Sequence, residues 1–251
     1  MRIPYKTFGA LALSSALAAP AMATDITQMS DVETEAFGAQ VRSYLLENPE
    51  VLMEAIAVLE QRQAQQAASS DIDMIEQNRA ALFEDESAYV GGNPEGDVTM
   101  VEFLDYRCGY CRKAHPEVAE LVESDGNIRI IVKEFPILGE ESLRGSQFAL
   151  AVLRMAGGDA YKSVMDKLMT QREAITEDSL RSLAKEEGLD ADALIEEMSS
   201  PQIAQIIEEN RALATRMQIN GTPSFIFGDQ MVRGYIPLDT MQQIVEEERE
   251  S

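Results

Sequence analysis

The 251-residue chain sets 44 acidic against 21 basic residues, a formal charge of −23. A field of that sign repels nucleic acid and anionic lipid, so neither is expected as a partner, and solubility is its plain meaning. With only two cysteines in the whole chain, a framework of structural disulfides is excluded as well.

The first element in chain order is a leader. Arg2 and Lys6 precede an apolar run from Phe8 to Ala19, and the small residues Ala21-Met22-Ala23 follow. A positive start, a short apolar centre and an A-x-A site predict a secretory signal peptide over residues 1–23, cleaved after Ala23. The run falls short of the roughly 20 apolar residues of a membrane anchor. No later stretch is long enough either, so no membrane insertion is expected after cleavage. Cleavage removes two basic residues and no acid, leaving 19 against 44 and a formal charge of −25.

Residues 24–66 form an N-terminal helical segment. Phe37, Val41 and Leu45 recur every four positions from Asp31 on, one face of a helix. Asn48-Pro49 restarts the pattern, with Asn48 as the N-cap and Pro49 at the first helical position. Leu52, Ile56 and Leu59 continue the stripe. From Glu60 to Ser70 no aliphatic residue exceeds alanine in size, so this stretch is either a solvated helix or a flexible linker. The stripe of residues 31–66 either packs back on the following domain or joins several copies into a homo-oligomer. The second reading is favoured, because a polar linker leaves the stripe no fixed surface to cover.

A catalytic domain occupies residues 67–251. A helix from Asp71 carries Met74, Ile75, Ala81, Leu82 and Phe83; Gly91 to Gly96 is a turn cluster; Asp97 to Leu104 reads as a strand. A helix runs from Cys108 to about Ser124, and Asn127 to Phe135 is a second, β-branched strand. Between about 140 and 217 the pattern is helical throughout. Strand character returns at Pro223 to Phe227, the turn Gly228-Asp229-Gln230 suggests a hairpin into Met231-Val232, and a last helix starts at Leu238.

The chemistry sits in Cys108-Gly109-Tyr110-Cys111, where both cysteines of the chain stand at a strand-to-helix turn. Free N–H groups and the helix dipole at that point favour a thiolate on the first sulfur. A CxxC in a βαβ unit reads as a thioredoxin-like redox pair. Four features in order carry a resemblance over about 180 residues: the CxxC opening the helix, Glu102 six residues before Cys108, Pro116 five after Cys111, and Thr222-Pro223 ahead of a strand.

The chain therefore resembles the thioredoxin superfamily and, within it, the DsbA-like periplasmic thiol-disulfide oxidoreductases. That resemblance implies an α/β thioredoxin-like fold with an inserted helical subdomain, preceded by the N-terminal helical segment, and no cofactor. It makes Cys108 the exposed nucleophile and Cys111 the resolving thiol. Glu102 becomes the buried carboxylate that exchanges a proton with Cys111, and Lys133 a candidate counter-charge for it. Thr222 and a cis Pro223, with Gly109 and Tyr110, form the edge that docks a client strand. His115, seven residues after Cys108, is read as a surface or kink residue.

The Gly-Tyr dipeptide and the threonine before Pro223 fit disulfide isomerases better than strong oxidants. Glu47 to Leu52 and Lys133 to Gly139 look like the ScsC-like group, some of which trimerise through an added N-terminal segment. The resemblance thus implies a periplasmic isomerase or reductase that forms a homo-oligomer, a trimer as in some of that group, with cysteine-containing client proteins and a membrane thiol-disulfide redox partner. Two alternatives stand beside it: a monomeric DsbA-like dithiol oxidase, and a copper carrier using two thiolates for Cu(I). No structural metal site is expected, since zinc needs four ligands and the chain offers two cysteines and one histidine. A purely structural or adhesive role is disfavoured by the intact redox positions.

Overall fold

The computed structural model describes residues 29–250; the expected signal peptide lies outside the described residues. The chain forms two compact units that divide between Glu60 and Gln61.

In the first unit, helix α1 spans Asp31–Glu47. Ser30 caps it reciprocally: its hydroxyl accepts from Glu33 N–H while its own N–H donates to Glu33 Oε2 at 2.9 Å. Helix α2 spans Glu50–Gln77, so the polar stretch from Glu60 to Ser70 is a solvated helix rather than a flexible linker. Asn48 does not cap α2. Its N–H and its side-chain amide both donate to the Tyr44 carbonyl, closing the end of α1 instead. Phe37, Val41, Tyr44, Leu52, Ile56 and Leu59 are all exposed.

The second unit is built on a five-stranded sheet in the order β1-β3-β2-β4-β5. The strands are β1 (Tyr89–Gly92), β2 (Val98–Leu104), β3 (Ile128–Glu134), β4 (Ser224–Phe227) and β5 (Gln230–Arg233). The central pair β2 and β3 is parallel, joined by helix α4 (Gly109–Asp125), while β1, β4 and β5 pair antiparallel to their neighbours. Helices α5 (Glu140–Ala156), α6 (Gly158–Thr170), α7 (Glu177–Glu186), α8 (Ala191–Glu197) and α9 (Pro201–Arg216) form the insertion between β3 and β4. Helix α10 (Leu238–Glu250) closes the chain. This is the expected thioredoxin-like architecture with its helical insertion.

Two sequence expectations change in this unit. The helix expected from Asp71 is the end of α2, followed by the short α3 (Arg79–Phe83). Gly91 and Gly92 are not turn residues but the end of edge strand β1, opposite Ile130 and Arg129. Such a short glycine-rich strand has no local signal; its pairing with β3 makes it. Gly92 (φ +66) also lies so close to the Ile128 carbonyl that any Cβ there would collide with it.

The sheet separates two cores by side-chain alternation. Met100, Leu104, Ile130 and Val132 face a core shared with α4, α5 and α6. Val101, Phe103 and Ile131 face a smaller one shared with α3 and α9. The register pairs Glu102 with Val132 and Phe103 with Lys133. Glu102 and Lys133 therefore belong to opposite faces, and this decides their partners.

Candidate active site

Helix α4 begins where the CxxC begins. Cys108 is its N-cap in extended conformation (φ −74, ψ 119), and its side chain makes no capping bond. Its sulfur points instead to the loop before β4 and donates to the Thr222 carbonyl at 3.1 Å. The Thr222–Pro223 peptide is cis, as expected. Segments separated by more than a hundred residues in sequence thus meet at one sulfur. Cys108 keeps 7% of its surface and Cys111 none, so the nucleophile is less open than the sequence suggested. The cis-proline loop on one side and the helix start on the other cover it.

The electrostatics separate the two thiols. A hydrogen bond from the Cys111 thiol, followed by Thr222 and the N–H groups of Cys111 and Tyr110, brings Cys108 down to about 5 against the opposing cost of burial. These bonds favour the Cys108 thiolate at neutral pH, and the bond donated to the Thr222 carbonyl belongs to the thiol form. Cys111 is pushed strongly upward by the same hydrogen bond seen from its donor side, then by burial and by the charge of Glu102. One sulfur is prepared to attack; the other needs a partner to take its proton.

Glu102 is the carboxyl whose charge reaches Cys111. It is 2% exposed on the α4 face of the sheet, and burial, with the charge of Glu134 second, raises its pKa to about 8. Its Oε1 has no hydrogen-bond partner among the described residues. Lys133 does not neutralise it. Lys133 faces the opposite core and pairs with Asp85 through an Nζ–Oδ2 contact, because neighbouring positions on paired strands alternate between faces.

Gly109 and Tyr110 form the rim. A Cβ on Gly109 would meet nothing within 4 Å, so the approach to Cys108 is open there. Tyr110 is 64% exposed and stacks on Tyr235 with ring centroids 6.2 Å apart. Tyr235 is held by Lys113, whose Nζ lies 3.9 Å from the ring centroid, and donates its hydroxyl to Glu117 at 2.9 Å. Its neighbour Gly234 donates N–H to the Pro223 carbonyl. The exposed Tyr110 and the partly buried Tyr235 therefore flank the path between the nucleophile and the cis-proline edge.

Several residues of this neighbourhood escaped the sequence reading. Asp105, fully buried, accepts the N–H of Arg107 (2.7 Å), Ile137 (2.9 Å) and Leu138 (3.1 Å), while its carbonyl accepts from Cys108 N–H. It ties the loop before α4 to the loop after β3. An aspartate two residues ahead of a turn N–H is the signal that was available. Glu134 accepts the hydroxyls of Tyr106 and Tyr161 (2.6 Å each) and of Ser146 (2.7 Å). Burial raises it to about 7 even so, with those donors holding it down. Nothing local in the sequence signals this cluster, whose members come from a loop, a strand and two helices. His115, expected as a surface or kink residue, stands next to Pro116 in α4 but is partly buried, bonds Asp166 at 2.7 Å and lines the same cavity as Glu102.

Comparison with known proteins agrees with this geometry. The family described as Thioredoxin matches residues 84–247. The family described as Copper resistance protein ScsC N-terminal domain matches residues 33–66, a stretch without cysteine or histidine. A thioredoxin-like oxidoreductase from Silicibacter pomeroyi DSS-3 is 40% identical, with a TM-score of 0.66 over 69% of this chain and 99% of its own. The thiol-disulfide exchange protein alpha-DsbA2 from Wolbachia pipientis is 28% identical (TM-score 0.68, 72% and 97% covered). Proteus mirabilis ScsC in a transitional conformation is 25% identical (TM-score 0.64) and matches over 88% of this chain and 97% of its own, the N-terminal segment included. Among curated proteins, the Na(+)/H(+) antiporter NhaA of Herminiimonas arsenicoxydans is 25% identical over 162 residues, and this chain spans 25% of its length.

Proposed function

Because this chain belongs to the thioredoxin family, with a segment of the ScsC N-terminal family ahead of its catalytic domain, we propose that it is a periplasmic thiol-disulfide oxidoreductase whose main work is disulfide isomerisation or reduction. The observation that carries the reading is the Cys108 sulfur, held at the start of α4 and 3.1 Å from the Thr222 carbonyl beside a cis proline.

In this reading the Cys108 thiolate attacks one sulfur of a client disulfide, and the client's other sulfur leaves as a thiolate. The client backbone lies along Thr222 and Pro223, with Gly109 leaving room and Tyr110 offering a ring. Two outcomes follow. A second client thiolate attacks the mixed disulfide, which rearranges the client and returns Cys108; or Cys111 attacks Cys108, giving the Cys108–Cys111 disulfide and a reduced client. In the second outcome Glu102 takes the proton of Cys111. A membrane thiol-disulfide partner then returns the pair to the dithiol.

Support for isomerase over oxidase comes from the Gly-Tyr dipeptide, the threonine before Pro223 and the exposed apolar stripe of α1 and α2. Residues 31–66 of several copies, three in the simplest arrangement, would join through that stripe and present several sites to one client. No helix among the described residues is long and apolar enough to cross a membrane, which suits an exported protein free of the bilayer. Thiol trapping in the periplasm is the test. A largely reduced Cys108–Cys111 pool, with refolding of a scrambled disulfide protein, is the expected outcome; a pool fully disulfide-bonded at rest makes the protein an oxidase instead.

A further inference from the structure

Between α4, α6 and the α4 face of the sheet lies a cavity of about 290 Å³. Its walls are mostly apolar, Val118, Val122 and Met165 among them, yet five titratable groups face it. Glu102 enters from β2, Tyr89 from β1, His115 and Glu123 from α4, and Lys162 from α6. Asp166 stands behind two of these, bonded to His115 Nε2 at 2.7 Å and to Lys162 Nζ at 2.6 Å. Glu102 is sealed from solvent, whereas Lys162 keeps 40% of its side chain exposed. The cavity thus joins a buried carboxyl to the surface. With a water occupying about 30 Å³, it has room for several, and the polar groups give them partners.

Cys111 is fully buried and feels the charge of Glu102, so its proton must pass through a neighbouring group. The unpartnered Oε1 of Glu102 looks for a partner, and at neutral pH this carboxyl holds a proton much of the time. Before it accepts the proton of Cys111 it must release its own. His115 lies four residues after Cys111, one helical turn along the same face of α4. Asp166 accepts a hydrogen bond from Nε2–H, which leaves Nδ1 as the ring's proton acceptor. Burial lowers the pKa of His115 against the pull of Asp166, so the ring is neutral and able to accept.

We propose that His115 passes the proton of Glu102 to solvent through this cavity, and so sets the rate at which Cys111 resolves a mixed disulfide. This rests on the thiol-exchange reading above. Glu102 gives its proton through cavity water to Nδ1, and the imidazolium releases it to bulk. The emptied carboxylate takes the proton of Cys111. The Cys111 thiolate attacks the Cys108 sulfur, the client–Cys108 bond breaks, and the client sulfur leaves with the electron pair. His115 touches neither sulfur; it acts through Glu102.

The test is single-turnover reduction of a fluorescent peptide disulfide by the full chain, followed from pH 6 to 9. Attack by Cys108 and resolution by Cys111 are resolved as separate phases. His115→Gln keeps the bond to Asp166 but cannot carry a proton, and should slow resolution about tenfold at pH 7. The attack phase and the ultraviolet titration of the Cys108 thiolate should stay unchanged. Ala119→Leu, which fills the cavity from its wall, should slow the same phase. Free imidazole should restore the rate of His115→Ala, which a structural loss would not allow. Wild-type resolution in either His115→Gln or Ala119→Leu, or no imidazole rescue of His115→Ala, overturns the proposal while leaving thiol exchange standing. A wild-type chain that shows no attack phase removes the underlying reading itself.

Discussion

Along α1 and α2 the side chains of Phe37, Tyr44, Leu46, Leu52 and Ile56 stand in solvent, Leu46 at 68% exposure. In the unit of residues 61–250 the pattern inverts: Glu102, Asp105, Lys133 and Glu134 each keep 2% or less. Apolar groups left outside and charged groups taken inside are both costly, and each marks work that a free-standing fold does not require. In the proposed function the first unit calls for another chain. The second calls for a client disulfide and a proton. The two departures therefore divide the proposed function, with assembly on one side and chemistry on the other, and variants should separate them.

The largest effect belongs to the sulfurs. Cys108→Ser should reduce exchange to background, and Cys111→Ser should let a covalent Cys108–client species accumulate, visible on a non-reducing gel. Neither change should alter mass in solution. A Cys111→Ser chain that attacks but accumulates no adduct would mean that clients leave without any resolving thiol, and Glu102 would then have no part in the reaction.

Removing residues 31–60 should do the reverse. No residue of α1 is buried, so folding of the rest should persist, with its thermal midpoint within a few degrees of the full chain. Mass by light scattering should fall to that of a monomer. Refolding of a scrambled client should fall about tenfold or more through lost multivalency, while reduction of a small disulfide stays unchanged. Unchanged mass would mean that the exposed stripe serves something other than self-association.

The third test concerns the cost of keeping Glu102 inside. Its folded pKa is raised from 4.5 to about 8 by burial, so the folded chain holds a proton that the unfolded chain has released. Stability must then fall as pH rises through that window and level off above it. Glu102→Gln removes this penalty. It should stabilise the chain by on the order of 5 kcal/mol at pH 9 and by almost nothing at pH 4.5, measured by urea unfolding. The same variant should slow resolution about tenfold or more at pH 7. A stability gain that does not depend on pH would show that Glu102 is simply a poor packing residue.

Much of this was legible in the sequence because its signals are local. The strand β2, the CxxC at the head of α4, and the helical insertion all follow from periodicity and turn chemistry within short windows. Glu102 and Thr222-Pro223 came only through resemblance, since nothing in their immediate surroundings distinguishes a buried carboxyl or a cis proline. What escaped depends on register and on distance through space. Edge strand β1 exists because β3 pairs with it. Lys133 looked like a partner for Glu102 until the parallel register put one on each face. His115 lies seven residues from Cys108 but four from Cys111, one helical turn, and its cavity is formed by α4, α6 and the sheet together.

That register gives the smallest and most discriminating prediction. Lys133 is buried and its partner Asp85 only partly so, which makes the pair asymmetric. Asp85→Ala takes the hydrogen-bonded counter-charge from a buried ammonium, leaving only the charge of Glu209 near it, and should cost about 3 kcal/mol. Lys133→Met fills the same space with apolar atoms and leaves Asp85 in contact with water and bonded to Ser87, so it should cost less than about 1 kcal/mol. Neither should change the resolution rate, because the sheet lies between this pair and the face that carries Glu102 and Cys111. A slowed resolution in Lys133→Met would restore Lys133 as the counter-charge of Glu102 and dissolve the division between structural and chemical burial within the catalytic unit.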